Sequence, residues 1–418
     1  MYEHYENYDR YIPDVMLKKH RKHEEYLSDK YKGMTHQEIY QSKLGTVEDA
    51  IGLIDSGDCI VWSIHASEPR LFLRNLHRIA DRIDPKNPVE LWSCVARWGP
   101  EYPVHTDPSL KDKFHHQTFF YDPNFRKIHP SGMSSYFPIH LHNYSQELHR
   151  CKRPNVAVVC VSPMDEHGYC CVSCDLQWGM ESFYSADKII YEVNPHIPHL
   201  PGDCALPVAM ADVIIESDLS LYELQDPPIG EAEKAVAGYA AEMVHDGDCI
   251  QLGFGGIPNA IGFELMNRHD LGIHTEQIGA SMAHMIQQGV VTNRYKNLDR
   301  GWSVGAFIIA DNFTYNYLNN HPRVMMRRGR YTNDPMIIAQ QDNMVSINAA
   351  LQIDLTGQVA AEALGYIQWS GTGGATDYAY GAYHSKGGRA MLCQISTAKK
   401  GTVSRIAPIL DPGSIVSV

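Results

Sequence analysis

A near-repeat within the chain constrains its fold more than any other feature. The segments 46–61 ("TVEDAIGLIDSGDCIV") and 231–251 ("EAEKAVAGYAAEMVHDGDCIQ") share one layout: a helix-like stretch, a turn into the tetrapeptide GDCI, and an apolar strand. Gly57 and Gly247 begin the two tetrapeptides, and we expect each to take the left-handed conformation that ends a helix just before a strand. The repeat predicts two similar domains in tandem.

The rest of the chain continues this alternation of helix-like and strand-like segments. Amphipathic stretches, such as 71–84, are interspersed with apolar runs at 58–64, 155–161, 188–192 and 211–216. Such an alternation predicts an α/β fold with mainly parallel sheets.

Two consecutive prolines mark the predicted joint between the domains. Because Pro227 and Pro228 interrupt regular structure, we divide the chain into an N-terminal extension at 1–36, a first domain at 37–226 and a second domain at 227–418. A ligand site is expected where two such domains meet.

The N-terminal extension is charged and rich in tyrosine. Four of its tyrosines are spaced three apart, which fits a helix face that packs on a neighbouring subunit and fits a solvated arm equally well. They are Tyr2, Tyr5, Tyr8 and Tyr11.

Charge and hydropathy exclude several classes of protein. The formal net charge of −13 argues against nucleic acid as a partner, because phosphate backbones require a basic face. No apolar run reaches the roughly 18–20 residues needed to span a bilayer, and the N-terminus has no signal-peptide pattern. We therefore predict a cytoplasmic protein with no membrane partner.

The ten cysteines do not suggest a disulfide framework or a metal site. Cys171 and Cys174 form a CxxC pair, but a structural zinc site would need a second pair, and Cys160 and Cys204 stand alone. Buried thiols and no bound metal are the expectation.

The second GDCI strand runs into a glycine-rich turn at 251–265 ("QLGFGGIPNAIGFEL"). A strand, a glycine turn and a helix that starts near Pro258 aim free backbone N–H groups at an anion or a developing oxyanion. Gly253 and Gly255 also begin a dinucleotide fingerprint, but Pro258 occupies the position of its third glycine and fits that reading poorly.

A second glycine turn, "SGTGG" at 370–374, precedes Asp377 near the C-terminus. Glycines at this density let a ligand approach the main chain closely. The segment 330–365 just before it is dense in amides, including Asn333 and Asn348. Buried amides must be hydrogen-bonded, so this row indicates either a satisfied polar network or a polar ligand.

Five segments resemble, in order and spacing, the acetyl-CoA hydrolase/transferase branch of the family I coenzyme A transferases. This branch includes butyryl-CoA:acetate and 4-hydroxybutyrate CoA-transferases, and the resemblance extends from about residue 37 to the end. The segments are "QLGFGGIPNA" (251–260), "LGIHTE" (271–276), "YTNDPMIIAQQDNMVSIN" (331–348), "DLTGQV" (354–359) and "SGTGGATDY" with "GAYHSKGG" and "STAKKGTVSRIAP" (370–408).

The resemblance implies two tandem α/β CoA-transferase domains with the active site at their interface. It also implies an acyl-CoA:carboxylate CoA-transferase that works as a homodimer or a larger homo-oligomer, with no metal and no cofactor beyond coenzyme A as substrate. A short-chain acyl-CoA hydrolase is the alternative enzyme. A non-catalytic CoA-binding subunit is the alternative of another class.

Residue by residue, the resemblance makes Glu276 the catalytic carboxylate and gives Asn333 the task of holding it in line. The candidate oxyanion donors on the two glycine turns are Gly255, Gly256 and Gly374. The residues implied to contact CoA are Gly253, Phe254, Gly255, Gly256, Ile257, Asn348, Gly374 and Lys399.

The segment after the glutamate departs from the family pattern. Many relatives continue with Met and a short run containing Asp-Gly or Asp-Ala, where this chain has "QIGAS" (277–281) and places Gln277 directly after Glu276. We expect these positions to border the acyl pocket, so the departure concerns the substrate rather than the mechanism.

Overall fold

The computed structural model describes residues 30–177, 179–224 and 229–418. Most of the predicted extension, including the four tyrosines spaced three apart, and the Pro227–Pro228 joint lie outside these residues. The described chain is considered below as an N-terminal half (residues 30–224) and a C-terminal half (residues 229–418).

The N-terminal half is built on a seven-stranded sheet in which every neighbouring pair is parallel. The strand order across the sheet is β4-β3-β2-β1-β5-β6-β7. Its strands are β1 (Cys59–Trp62), β2 (Val89–Ser93), β3 (Phe114–Thr118), β4 (Ser134–Tyr136), β5 (Val156–Val161), β6 (Lys188–Val193) and β7 (Val213–Glu216).

The C-terminal half has a parallel four-stranded sheet of order β9-β8-β14-β15. Two further parallel pairs, β10 with β12 and β11 with β13, lie beside it in the chain. The strands are β8 (Cys249–Leu252), β9 (Gly272–Ile273), β10 (Gln277–Ile278), β11 (Ser303–Gly305), β12 (Phe307–Ile308), β13 (Val324–Met326), β14 (Met344–Ala349) and β15 (Arg389–Cys393).

Helices connect the strands in both halves, which completes the α/β fold expected from the sequence. They are α1 (His36–Lys43), α2 (Val47–Gly52), α3 (Arg70–Asn75), α4 (Pro103–Thr106), α5 (Pro123–Ile128), α6 (Tyr144–Cys151), α7 (Gly179–Ser185), α8 (Glu231–Glu242), α9 (Gly256–Glu264), α10 (Ala280–Gln287), α11 (Asn312–Leu318), α12 (Gly329–Thr332), α13 (Pro335–Ile338) and α14 (Ala375–His384).

Short strand pairs complete the secondary structure, mostly in the last 70 residues. Tyr169–Cys171 pairs with Ala205–Pro207. Gln352–Asp354 pairs with both Val359–Ala360 and Ile406–Ala407. The remaining pairs are Ala363–Leu364 with Ile367–Gln368 and Thr397–Ala398 with Val403–Ser404.

The two GDCI turns have the left-handed glycines that the sequence predicted, with φ of 81° at Gly57 and 83° at Gly247. Their position relative to the helices differs from the prediction. The helices end earlier, at Gly52 and Glu242, so each glycine lies in the following tight turn rather than at the helix terminus.

An aspartate closes each of these turns in the same way. Asp58 accepts the N–H of Asp55 at 2.7 Å, and Asp248 accepts the N–H of His245 at 2.7 Å. The same type of side-chain hydrogen bond fixes the chain direction into β1 and into β8. The sequence repeat therefore corresponds to two turns of the same structure.

The central strands are buried on both faces. All residues of β1 and β5 are buried, as are those of β8. Continuous apolar strands of this kind belong to parallel sheets covered by helices. Burial of each large aliphatic side chain stabilises the fold by about 1.5–3 kcal/mol.

No helix among the described residues is long and apolar enough to span a membrane.

Candidate active site

The carboxyl ends of the strands in the second sheet bring the predicted residues into one region. The register pairs Cys249 with Gly272 and Ile250 with Ile273, so Gly253 and Glu276 both follow the carboxyl ends of neighbouring strands. Ligand sites in parallel sheets form at this edge.

The Glu276 carboxylate accepts a hydrogen bond from Asn333, the residue proposed to hold it in line. The Asn333 Nδ2 donates to Glu276 Oε2 at 2.7 Å, and Asn333 is fully buried. The Thr332 hydroxyl donates to Asn333 Oδ1 at 2.9 Å, which fixes the amide with its N–H₂ towards the carboxylate. One carboxylate oxygen is thereby fixed in direction.

The backbone beneath Asn333 is held in place by two buried rings. The carbonyl of Thr332 accepts the Tyr378 hydroxyl at 2.7 Å and lies 3.0 Å from His274 Nε2. Tyr378 belongs to α14, whereas His274 follows β9 immediately before the glutamate segment. Three separate stretches of chain therefore converge behind the carboxylate.

Gly374 lies directly against the Glu276 carboxylate. A Cβ atom built on Gly374 would stand 1.8 Å from Glu276 Oε2 and 2.2 Å from Asn333 Nδ2. The φ of Gly374 is −103°, so a glycine is needed here for close approach and not for a left-handed backbone. Gly374 also precedes the first turn of α14, and the positive end of that helix dipole faces the carboxylate.

Burial perturbs the ionisation of Glu276. Its pKa is raised from the ordinary 4.5 to about 7, mainly by desolvation; the hydrogen bond from Asn333 lowers it, and the charge of Asp377 raises it. The group is therefore only partly ionised near neutral pH. A carboxyl that is partly protonated near neutral pH and lies at the edge of a parallel sheet is a candidate for a functional group.

Glu276→Gln is expected to raise the free energy of unfolding at pH 8 by about 1–3 kcal/mol. The folded-state pKa lies above the ordinary value, so the stability associated with the protonated carboxyl is lost as pH rises from 4.5 through 7. Urea denaturation at pH 8 and pH 5 measures this, and the difference between variant and parent should be much smaller at pH 5. Exposed Glu264→Gln serves as the control, and an equal gain at both pH values would contradict the assignment.

The first glycine turn is open to solvent at residues 253–257. Gly255 has a φ of 126° and forms the N-terminal boundary of α9, which begins at Gly256, two residues before the predicted start at Pro258. The first-turn N–H groups of a helix have no intrahelical acceptor, so Gly256 and Ile257 can offer theirs to an anion. The Gly253 N–H donates to the Ile347 carbonyl instead.

Asn348 is buried beside this turn and pairs with Gln251. Each amide donates to the other at 3.1 Å, and a Cβ on Gly253 would stand 2.5 Å from Asn348 Oδ1. Asn348 therefore packs against Gly253 and supports the first glycine turn.

Lys399 is placed differently from the other predicted residues. It lies with Lys400 in the exposed turn of the hairpin between Thr397–Ala398 and Val403–Ser404, and both lysines have positive φ, 47° and 57°. None of the hydrogen bonds described above around Glu276 includes Lys399.

The carboxyl edge of the first sheet faces the same region of the second. The His65 ring stacks on Phe307 with centroids 4.2 Å apart, and the Arg97 guanidinium lies 4.8 Å from the Phe254 ring centroid. Phe307 donates its N–H to the Glu276 carbonyl. The two halves therefore pack against each other next to the catalytic candidate.

Sequence reasoning missed one pair of residues in this contact. His142 in the N-terminal half and Asp377 on α14 form a hydrogen bond of 2.7 Å between His142 Nδ1 and Asp377 Oδ1. The sequence indicated only that Asp377 follows the glycine turn. The feature that could have identified it as a site residue is its position in the first turn of a helix that begins after a double glycine.

A cavity of about 410 Å³ adjoins the first glycine turn. Gly253, Gly255 and residues of the 277–281 segment line it. Gln277 is buried, and its Nε2 donates to the Ile309 carbonyl at 2.9 Å, while its Oε1 has no protein partner among the described residues. The segment 277–281, which departs from the family pattern, therefore lines a cavity next to the first glycine turn.

Within the described parts of the chain, no group of three or more histidine, cysteine or acidic side chains is arranged to hold a metal ion. The predicted CxxC pair is buried, and Cys171 Sγ lies 3.3 Å from Cys204 Sγ.

Comparison with known proteins agrees with this architecture. Residues 28–221 match the acetyl-CoA hydrolase/transferase N-terminal domain, and residues 311–418 match the acetyl-CoA hydrolase/transferase C-terminal domain. The chain is similar to the succinyl-CoA:cyclohexane-1-carboxylate CoA transferase of Geobacter metallireducens, with 36% identity over 92% of this chain and 86% of that protein. The 4-hydroxybutyrate coenzyme A transferase of Clostridium kluyveri is 36% identical over 92% and 88% of the two chains.

Solved structures show the same fold. The crystal structure of RipA from Yersinia pestis superposes with a TM-score of 0.84 at 35% identity and covers 91% of this chain and 89% of its own. On the evidence of both domain matches and these relatives, the chain belongs to the acetyl-CoA hydrolase/transferase family.

Proposed function

We propose that this protein is an acyl-CoA:carboxylate CoA-transferase that works through a glutamyl-CoA thioester on Glu276. The observation that carries the proposal is the contact between the Glu276 carboxylate, the Asn333 amide and Gly374. A partly buried carboxylate, oriented by one donor and packed against a glycine turn at a helix N-terminus, is arranged as a nucleophile.

The reaction proceeds in two symmetrical halves. A Glu276 oxygen attacks the thioester carbonyl of the acyl-CoA, and the CoA thiolate leaves, which gives an acyl-glutamyl anhydride. The thiolate then attacks the glutamyl carbonyl and releases the acyl group as a free carboxylate, with CoA now bound to Glu276 as a thioester. An incoming carboxylate reverses these steps and leaves as the new acyl-CoA.

Each attack generates a tetrahedral oxyanion that needs hydrogen-bond donors. Gly255 and Gly256 on the first turn and Gly374 on the second are the proposed donors. Loss of one such donor costs about 3–4 kcal/mol of transition-state stabilisation. Carboxylates are weak nucleophiles, so accurate placement contributes as much as charge stabilisation.

The CoA site is proposed to follow the first glycine turn. Gly253, Phe254 and Ile257 would border the pantetheine arm, with Asn348 supporting the turn through its buried pair with Gln251. Lys399 would reach a phosphate from the exposed hairpin.

The active site is proposed to lie at the interface of the two domains, because the carboxyl edges of both sheets meet beside Glu276. The acyl groups would be short, with Gln277 and the following residues lining the space next to the turn. We also infer a cytoplasmic enzyme, at least a homodimer, that needs no metal. These inferences rest on the resemblance to the family.

Acyl-CoA loss should depend on an added carboxylate. With butyryl-CoA as donor, we expect butyryl-CoA to be consumed and acetyl-CoA to appear only when acetate is present, with parallel double-reciprocal plots from the ping-pong scheme. Equal consumption of butyryl-CoA without acetate would identify a hydrolase. Tight binding of CoA with no exchange for any short-chain acid would indicate a non-catalytic subunit.

Asn333→Ala is expected to slow glutamyl-CoA formation about 10–100-fold, because the carboxylate loses its orienting donor. The substitution also removes the interaction that lowers the pKa of Glu276. The increase of the rate with pH should therefore occur at a higher pH than in the parent. Single-turnover kinetics against pH measures both effects. The buried Asn194→Ala variant is the matched control, since Asn194 Nδ2 donates to the Leu219 carbonyl at 2.7 Å in the N-terminal half. An unchanged rate in Asn333→Ala would contradict its role.

A further inference from the structure

The two halves are joined at a group of hydrogen bonds that ends at the catalytic glycine turn. We name this group, comprising His140, Leu141, His142, Gly373 and Asp377, the inter-domain clamp. The Leu141 N–H donates to the Gly373 carbonyl at 3.1 Å, and the His142 N–H donates to Asp377 Oδ2 at 3.2 Å. His142 Nδ1 lies 2.7 Å from Asp377 Oδ1, and His140 Nδ1 lies 3.7 Å from the same oxygen.

The clamp acts on Glu276 through its geometry. Gly373 is the neighbour of Gly374, which packs against the Glu276 carboxylate. Asp377 lies one turn further along α14 and is only 2% exposed. A shift of the clamp would therefore move Gly374 and the N-terminus of α14 relative to the carboxylate.

The clamp also carries charge close to Glu276. The charge of Asp377 raises the pKa of Glu276. Burial alone lowers the pKa of His142, but the hydrogen bond and charge of Asp377, together with the charge of Asp334, raise it overall, against a small opposing effect of Arg330. Together with His140, these are the charged and titratable groups that face His142.

We propose that His142 is a positioning residue that holds α14 against Glu276 and whose proton offsets the charge of Asp377, so that Glu276 ionises more easily while His142 is charged. This proposal rests on the proposed nucleophilic role of Glu276. It assigns a residue of the first domain to the control of a nucleophile in the second.

Two substitutions should move the same titration in opposite directions. His142→Asn keeps a donor near the position of Nδ1 but removes the positive charge, so Asp377 is left uncompensated and the pKa of Glu276 rises. Asp377→Asn removes the negative charge that opposes ionisation, so the pKa of Glu276 falls. Structural damage alone would not give shifts of opposite sign.

The experiment is the rate of glutamyl-CoA formation from butyryl-CoA, followed by intact-protein mass spectrometry in single turnovers from pH 5 to 9. We expect the acidic limb of the profile to move up by about half a pH unit or more in His142→Asn, and down by a similar amount in Asp377→Asn. The control is His196→Asn, because His196 forms a surface pair with Asp218 at 2.9 Å; its profile should overlay that of the parent.

An acidic limb that stays in place in either variant, or moves the same way in both, overturns the proposal. If His142→Asn does not fold, as judged by circular dichroism, His142→Gln takes its place, because it also removes the positive charge. A parent protein that forms no glutamyl-CoA refutes the proposed function itself, and the two failures are therefore distinguishable.

Discussion

Replacing Glu276 with glutamine is expected to lower the rate of CoA exchange at least a thousandfold, because the covalent route has no other nucleophile. Glutamine has the same shape and can still meet Asn333 and Gly374, so the fold and the binding of CoA should persist. Exchange between butyryl-CoA and labelled acetate, measured at saturating concentrations of both, gives the rate. The same variant is expected to be more stable than the parent at pH 8.

Glu276→Asp separates placement from chemistry. The aspartate retains a carboxylate but withdraws it by one methylene, so the oxygen leaves the position set by Asn333. A misplacement of about 1 Å can cost about a hundredfold in rate, so Glu276→Asp should fall between the parent and Glu276→Gln. Substantial exchange by Glu276→Gln would mean that the reaction does not pass through this residue.

Gly374→Ala is expected to slow glutamyl-CoA formation about a hundredfold or more. The new methyl group would stand 1.8 Å from the carboxylate oxygen and 2.2 Å from the Asn333 amide. Neither distance is tolerable, so Glu276 and the α14 N-terminus must move apart, and the proposed oxyanion donor moves with them. Single-turnover kinetics reports the rate, and titration of the variant with CoA reports binding.

A matched substitution distinguishes this effect from a general cost of alanine. Gly238 lies in α8, and a Cβ built on it meets nothing within 4 Å. Gly238→Ala should leave the rate unchanged and should stabilise the helix slightly, since alanine has the higher helix propensity. If Gly374→Ala reacts as fast as the parent, the glycine turn is not part of the reacting geometry.

The sequence predicted the architecture well because its signals are local. The GDCI repeat is read from consecutive residues, and in both copies the glycine conformation and the strand that follows are confirmed. The predicted positions of the helix ends were wrong. A tight turn closed by Asp58 or Asp248 contains the residues by which a longer helix would have continued.

The candidate site was predicted less completely because its geometry is not local. Glu276 and Asn333 are 57 positions apart in the chain, and their contact could be foreseen only through the family resemblance. The need for glycine at Gly374 depends on the distance to a side chain almost 100 residues earlier. His142 joins the site from the other half of the chain, and no pattern of spacing predicts such a contact.

The most direct test of this account is peptide mass spectrometry of the protein after incubation with butyryl-CoA and no acceptor acid. The account predicts a CoA-sized adduct on the peptide that contains Glu276, removed by hydroxylamine, absent in Glu276→Gln and discharged by acetate with formation of acetyl-CoA. Consumption of butyryl-CoA with no adduct on that peptide, or an adduct that persists in Glu276→Gln, would contradict the central role of this carboxylate.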